Sequence, residues 1–261
     1  MQTKIRVGAV SYLNTKPLIY GFEQGMMRED VELVIDYPSK IASMLLENKI
    51  DVGLVPVAII PKMKEHFIIS DFCIGCEGEV ASVCLFSEVP LEEIKTILLD
   101  YQSRSSVALL KILIREHWKI EVNFEQTING YQSKIAGTTA GLVIGDRALQ
   151  QRKVSKYIYD LGSEWKKFTG LPFVFAAWIS NKKLEESFID SFNKANAFGT
   201  NLIESVVKNY PDAPFDLEEY YTKYIRFKLD EDKLEGLNLF LENIAEKEVL
   251  GKIIKSYRSQ V

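Results

Sequence analysis

The sequence predicts an α/β protein of two lobes with a cleft between them. Short apolar runs of strand length alternate with segments in which apolar residues recur every three or four positions, as in strands joined by helices. The chain has 261 residues, more than the usual single domain of about 100–150 residues. Because the alternation of strands and helices starts a second time along the chain, we expect two lobes rather than one.

The first lobe is predicted to begin with strands and helices in alternation. Strands are expected at residues 5–10, 31–35 and 51–55. Pro17 suits the first turn of the helix between the first two strands, since its missing N–H loses no helical bond there. The next helix carries Ile41, Met44 and Leu45 on one face, and Pro56 begins another helical turn. This spacing predicts a parallel sheet with right-handed crossovers.

The second lobe is predicted from a similar pattern in the middle of the chain. A long strand is expected at residues 80–86, and the helix that follows residue 106 stacks Val107, Leu110 and Ile114 on one face. Further short strands are expected at residues 96–99, 121–124, 140–144 and 157–159. Residues 173–179 are expected to form a last strand that leads back out of this lobe.

The chain beyond residue 181 is predicted to be helical. One helical stripe spans about six turns and consists of Leu184, Phe188, Phe192, Ala195, Leu202 and Val206. A last helix starts near Asp230 and turns four apolar side chains inward, namely Leu234, Leu237, Leu241 and Ile244. We therefore expect a first lobe of residues 1–88 and 180–261 with a helical tail, and an inserted second lobe of residues 89–179.

Composition and charge argue against a partner nucleic acid, a partner membrane and a bound metal. The chain is 47% hydrophobic and has 32 basic against 36 acidic side chains, a net charge of −4 without blocks of like charge, so we expect no nucleic-acid partner. It has no apolar run of about 18 residues and no secretion signal, so we expect a cytoplasmic protein without a membrane partner. Cys73 and Cys76 form a C-x-x-C pair, but zinc needs about four ligands and both histidines stand alone, so we expect no metal.

Polar residues follow the predicted strands, where ligands bind in open α/β sheets. The candidate binding residues are Ser11, Tyr12, Asn14, Ser39, Ser82, Ser103, Arg104, Ser105, Ser106, Gly145 and Asp146. Ser39 and Asp146 are also typical helix N-caps. Arg104 lies in a first helical turn and opposes the helix dipole, so a nearby anion would explain it. The residues themselves thus predict a two-lobed protein that closes on a small carboxylate.

Three longer motifs resemble a known family. They are S-Y-L-N-T at residues 11–15, D-L-G-S-E-W at 160–165 and T-G-L-P-F-V-F-A at 169–176 with Trp178. Together with S-R-S-S-V at 103–107 and I-G-D at 144–146, they resemble the chorismate dehydratase family of the futalosine route of menaquinone biosynthesis. The resemblance covers residues 7–178. The second hydroxyl loop departs from the family's pattern, since it reads R-S-S where R-T-S is expected.

The resemblance implies a periplasmic-binding-protein-like fold of type II. It also implies a lyase that dehydrates chorismate to 3-[(1-carboxyvinyl)oxy]benzoate without a cofactor. The helix termini near residues 103–106 and near Ser39 and Ser82 would each hold one carboxylate. Asn14 would be catalytic, orienting the enolpyruvyl carboxylate that takes the proton itself, whereas Asp146 is the alternative base. Tyr12 would donate to the departing hydroxyl.

Two other functions stay open at this point. One is a small-carboxylate binding protein that has the same clamp but no catalysis. The other is the sister enzyme that makes 1,4-dihydroxy-6-naphthoate, which shares the fold. Its histidine- and aspartate-rich opening motif is missing here, so we favour the dehydratase.

Overall fold

The computed structural model describes residues 4–213 and 215–258, with side-chain surroundings as far as residue 245. Within these residues, the strands are β1 (Ile5–Val10), β2 (Val31–Asp36), β3 (Val52–Pro56), β4 (Phe67–Cys76), β5 (Val83–Ser87), β6 (Thr96–Leu99), β7 (Asn123–Gln126), β8 (Thr139–Ile144), β9 (Tyr157–Asp160), β10 (Phe173–Ser180) and β11 (Arg226–Lys228). The α-helices are α1 (Lys16–Glu23), α2 (Pro38–Leu46), α3 (Ser105–Ile112), α4 (Asp146–Gln151), α5 (Leu161–Thr169), α6 (Glu186–Thr200), α7 (Ile203–Lys208), α8 (Leu217–Glu219) and α9 (Glu231–Arg258).

The strands form two mixed sheets. The first has the order β11-β4-β10-β3-β1-β2, and the second has the order β7-β6-β8-β5-β9. β1 pairs in parallel with β2 and β3, as predicted, but β10 lies antiparallel between β3 and β4. We call the first sheet with α1, α2 and α6 the first lobe, and the second sheet with α3 and α4 the second lobe. The α/β fold predicted from the sequence is confirmed.

The strands at the two crossings between sheets lie in different sheets from those expected. β5 pairs with β8 and β9 of the second sheet, whereas the predicted boundary at residue 88 assigns it to the first lobe. β10 pairs with β3 and β4 of the first sheet, whereas the predicted boundary at residue 179 assigns most of it to the second lobe. The chain crosses between β4 and β5 and again between β9 and β10. Each crossing therefore lies before the apolar strand that the prediction placed ahead of it.

The Asp160 side chain joins the two crossings. It lies at the end of β9 and is 8% exposed. Its carboxylate accepts hydrogen bonds from Val80 N at 3.1 Å and Ala81 N at 2.8 Å in the outgoing crossing. It also accepts from Gly162 N and Ser163 N, both at 3.1 Å, and thereby caps α5 in the returning crossing.

This carboxylate also explains why the strand predicted at residues 80–86 starts only at Val83. The N–H groups of Val80 and Ala81 bond to Asp160 instead of a neighbouring strand. Ala81 adopts φ +62°, a left-handed conformation that an ordinary residue adopts at a cost of about 1–3 kcal/mol. The backbone therefore turns here rather than continuing as a strand.

The helical stripe predicted after residue 183 is interrupted. α6 ends at Thr200 and α7 starts at Ile203, and Leu202 between them is 39% exposed. Phe192, Ala195 and Val206 are buried as predicted. The stripe thus belongs to two short helices and not to one.

The last helix is rotated relative to its prediction. Leu234 is 38% exposed, whereas the neighbouring Lys233 is 2% exposed and Leu237 is buried. The Lys233 ammonium donates to Asp230 at 2.6 Å and lies 3.8 Å from a Glu77 carboxylate oxygen. These two partners allow a lysine to take the inward position predicted for a leucine.

We predict that Asp160→Ala lowers the free energy of unfolding by about 3 kcal/mol, because several buried N–H groups lose their acceptor. Asp216→Ala is a matched control, since Asp216 is an exposed N-cap that accepts one bond from Glu219 N at 2.9 Å. Its loss should cost about 1 kcal/mol. Urea unfolding followed by circular dichroism measures both. Equal losses would contradict a central role for Asp160.

Candidate active site

A cavity lies between the two sheets and is lined by residues of both lobes. Seven of the predicted site residues line it: Tyr12, Asn14, Ser82, Ser103, Ser105, Ser106 and Gly145. Four others do not, namely Ser11, Ser39, Arg104 and Asp146. Apolar side chains complete the wall, including those of Val80, Phe175, Pro38 and Pro56. The structure thus brings most of the predicted residues of both lobes to one cavity.

Tyr12 extends from the first lobe to the second. Its hydroxyl donates to the side-chain carbonyl of Gln102 and accepts from Arg147 Nη2 at 3.4 Å. Its ring covers Gly145, where an added Cβ would come within 3.0 Å of the ring. Gly145 also has φ +64°, which favours glycine. The ring of Tyr12 therefore forms part of the cavity wall, and its hydroxyl connects the lobes.

An ion pair between the half-buried Arg147 and the buried Asp100 holds the partners of Tyr12 in place. Arg147 Nη2 lies 2.9 Å from Asp100, whose carboxylate also accepts from Tyr131 at 2.8 Å and from Gln102 N at 2.9 Å. Burial would lower the pKa of Arg147, but the Asp100 carboxylate together with Tyr12 and Tyr131 outweighs burial, so this pKa is raised. The guanidinium stays charged and keeps donating to Gln102 at 2.8 Å. The sequence prediction did not include Asp100, Gln102 or Arg147 in the site, although Arg147 directly follows Gly145 and Asp146.

Asn14 lies in the loop between β1 and α1, in a 3-10 turn from Leu13 to Thr15. Its Oδ1 atom accepts from the Thr15 hydroxyl at 3.3 Å. The amide nitrogen is therefore the part of Asn14 that is left to donate. Since Asn14 lines the cavity, this donor is available to an acidic ligand.

Ser82 enters the cavity from the outgoing crossing. Its hydroxyl oxygen accepts from the Tyr220 hydroxyl at 2.6 Å, and its carbonyl accepts from Gly145 N at 2.8 Å. Both Ser82 and Tyr220 are buried. No sequence motif indicates Tyr220, because it lies in the helical tail, far along the chain from the residues that line the cavity.

Asp146 has a structural partner instead of a place in the cavity wall. Its carboxylate accepts from Leu13 N at 3.3 Å, which joins the start of α4 to the loop that carries Asn14. Burial raises the pKa of Asp146, although the Leu13 bond opposes this. This geometry favours a contact between the lobes over the role of a general base.

The loop at residues 103–106 is also engaged across the cleft. Ser105 Oγ accepts from Ala58 N of the first lobe at 3.2 Å, and Ser103 Oγ accepts from Ser106 N at 3.2 Å. Arg104 Nη2 donates to Ser43 Oγ at 2.9 Å, on α2. Arg104 thus lies against α2 outside the cavity, and its predicted contact with a ligand stays a prediction.

Two helices begin at the cavity. Pro38, in the first turn of α2, and Ser105 and Ser106, in the first turn of α3, are all lining residues. The N-terminus of a helix offers N–H donors and the positive end of its dipole. Because one helix comes from each lobe, the cavity suits a ligand with two separate negative groups.

The cysteines give no sign of metal or redox chemistry in this arrangement. Cys73, Cys76 and Cys84 are buried free thiols, and burial raises the pKa of Cys73 to about 12. In the described part of the chain, no group of three or more His, Cys, Asp or Glu residues could hold a metal ion. The same part contains no helix with the length and apolarity that a membrane span requires.

Solved structures show the fold. A protein of Archaeoglobus fulgidus has a TM-score of 0.74 at 14% identity, covering 95% of this chain and 98% of its own. The aliphatic sulphonate binding protein of Escherichia coli has a TM-score of 0.60 at 13% identity, covering 95% and 89%. A Candida albicans protein with the generic periplasmic binding protein fold also has a TM-score of 0.60, at 12% identity, covering 93% and 90%. The predicted periplasmic-binding-protein-like fold is confirmed.

Proteins related in sequence identify the family of this chain. A chorismate dehydratase of Thermus thermophilus is 25% identical over 260 residues, covering 90% of this chain and 93% of that protein. A chorismate dehydratase of Campylobacter jejuni is 25% identical over 232 residues, covering 86% of each. The sequence model of a family described as menaquinone biosynthesis matches residues 5–246. This chain therefore belongs to the menaquinone biosynthesis family.

Proposed function

We propose that this protein is a chorismate dehydratase, a lyase that converts chorismate to 3-[(1-carboxyvinyl)oxy]benzoate. Membership of the menaquinone biosynthesis family and the two relatives of that name support this activity. The observation that carries it is the cavity between the lobes, where Asn14 and Ser82 meet the N-termini of two helices. Chorismate is a dianion with two separate carboxylates, which this distribution of neutral donors suits.

The proposed reaction needs positioning more than strong acids or bases. A ring C–H bond and the ring C–OH bond break, a ring double bond forms, and the proton and hydroxide leave as one water. The gain of aromaticity drives the step. Holding the reacting groups in place can lower a barrier by roughly 7–11 kcal/mol in favourable intramolecular cases.

The residues have the following proposed roles. The enolpyruvyl carboxylate of the substrate takes the proton, and the Asn14 amide orients that carboxylate. The α3 terminus with Ser105 and Ser106 binds one carboxylate, and Ser82 with the α2 terminus binds the other. Asp146 is not the base in this proposal, because its carboxylate is bonded to Leu13 N.

Tyr12 has a different proposed role from donation to the departing hydroxyl. Its own hydroxyl is bonded to Gln102 and Arg147 of the second lobe. We therefore assign it to holding the lobes closed, with its ring against the substrate. Closure of the lobes would exclude water during the elimination. That the two lobes move relative to each other stays a prediction. A cytoplasmic location also stays a prediction.

The first test is turnover of chorismate by the purified protein. We expect chromatography and mass spectrometry to show a product that has lost one water, with the mass of the enolpyruvyl benzoate. Calorimetric binding of chorismate without turnover would support the non-catalytic clamp instead. If chorismate neither binds nor reacts, the proposed substrate is wrong.

A second test separates Asn14 from Asp146. We expect Asn14→Ala to reduce kcat about 100-fold, because a substrate carboxylate loses its orientation. Asp146→Asn should retain most of the turnover, since an amide oxygen can still accept from Leu13 N. Asn209→Ala, at an exposed position outside the cavity, is the matched control and should match the unmodified protein. Near-normal turnover in Asn14→Ala together with an inactive Asp146→Asn would show that Asp146 is the base.

A further inference from the structure

Tyr220 contributes a hydroxyl to the site from outside the two sheets. It begins a π-helical turn, Tyr220–Tyr224, that follows α8 in the helical part of the chain. Its side chain is 2% exposed, and its hydroxyl donates to Ser82 Oγ at 2.6 Å. Tyr220 does not line the cavity, so it cannot touch a ligand there in this arrangement.

We propose that Tyr220 is a positioning residue that sets the orientation of the Ser82 hydroxyl, and through it the binding of a substrate carboxylate. The inference rests on the proposed function, since it concerns how the same cavity binds chorismate. It adds a residue that neither the sequence motifs nor the roles assigned above include.

The Ser82 hydroxyl can both donate and accept hydrogen bonds. A serine hydroxyl has one proton to donate and two lone pairs to accept. Tyr220 donates to one lone pair at 2.6 Å. The proton of Ser82 must then point away from Tyr220, and Ser82 lines the cavity. Tyr220 therefore makes Ser82 a donor toward the cavity, which is the role that a carboxylate ligand requires.

Asn14 also interacts with the Tyr220 hydroxyl. Burial raises the pKa of Tyr220, and its interactions with Ser82 and with Asn14 oppose this rise. Because the phenol proton goes to Ser82, the phenol oxygen can only accept from Asn14, whose Oδ1 atom already accepts from Thr15. An amide nitrogen has two protons, so one remains for the ligand. Tyr220 thus contacts the two polar side chains proposed to hold the substrate.

The neighbouring residue shows that this turn is fixed to the site. The Tyr221 hydroxyl donates to the Leu13 carbonyl at 2.8 Å, in the same loop as Asn14. Two consecutive tyrosines of this π-helical turn therefore bond to Ser82 and to the loop that carries Asn14. Such turns are frequent at functional sites. A buried tyrosine placed only to fill space would not need a hydroxyl that reaches Ser82.

The test is a double-mutant cycle on chorismate turnover. Tyr220→Phe removes the hydroxyl and keeps the ring, and we expect it to lower kcat/KM about tenfold in otherwise unmodified protein. In a Ser82→Ala background the same change should cost less than about threefold, because only the smaller interaction of Tyr220 with Asn14 is then left to lose. A purely structural role would give the same loss in both backgrounds.

Ser180→Ala is the matched control. Ser180 is fully buried, its hydroxyl donates to the Lys182 carbonyl at 2.6 Å, and it lies at the opposite end of β10 from the cavity. We expect this variant to lower the melting temperature but to keep kcat/KM within about twofold. The comparison separates the loss of a buried hydroxyl from the loss of positioning.

The possible outcomes distinguish this inference from the proposed function. If the unmodified protein turns over chorismate but Tyr220→Phe equals it, or loses activity equally in both Ser82 backgrounds, the positioning role is wrong and the proposed function stands. If the unmodified protein does not turn over chorismate, the proposed function is wrong and this inference falls with it.

Discussion

The two-lobed architecture depends on the Asp160 carboxylate and the backbone N–H groups that surround it. The chain crosses between the sheets twice, and Asp160 bonds to both crossings. A buried carboxylate is costly unless hydrogen bonds compensate its lost hydration, and backbone donors from two segments do so here. Because the outgoing segment also carries Ser82, the same interaction fixes the position of a cavity residue. Stability and the geometry of the site are therefore coupled at this point.

The lobes also meet through the loops that form the cavity. Tyr12 bonds to Gln102 and Arg147, Leu13 to Asp146, and Ala58 to Ser105, each pair joining the first lobe to the second. Several residues that the sequence indicates as ligand contacts are thus engaged with the opposite lobe. These bonds hold the two lobes against each other around the cavity. Asp146 takes part by accepting from Leu13 N of the opposite lobe.

The roles of Asp160, Tyr220 and Lys233 could not be predicted from the sequence, for one physical reason. Asp160 belongs to a recognised motif, but its importance comes from the N–H groups of Val80 and Ala81, which are 80 and 79 residues away along the chain. Tyr220 lies in a helical segment without any motif. Lys233 takes an inward position that hydropathy assigns to Leu234, because Asp230 and Glu77 neutralise its charge. Each case depends on a partner that is distant in sequence or on a charge that local pattern does not reveal.

The sequence by itself determined the α/β class, the two-lobed fold and the family, because apolar periodicity and the motifs at residues 11–15 and 160–178 are local properties. It also indicated most of the residues that line the cavity, since polar loops after strands converge in such sheets. Only the tertiary structure decided in which sheet β5 and β10 lie, why Arg104 and Asp146 are outside the cavity, and that Tyr220 bonds to Ser82. Strand pairing and hydrogen bonds between distant segments are set by packing, which one-dimensional patterns do not encode.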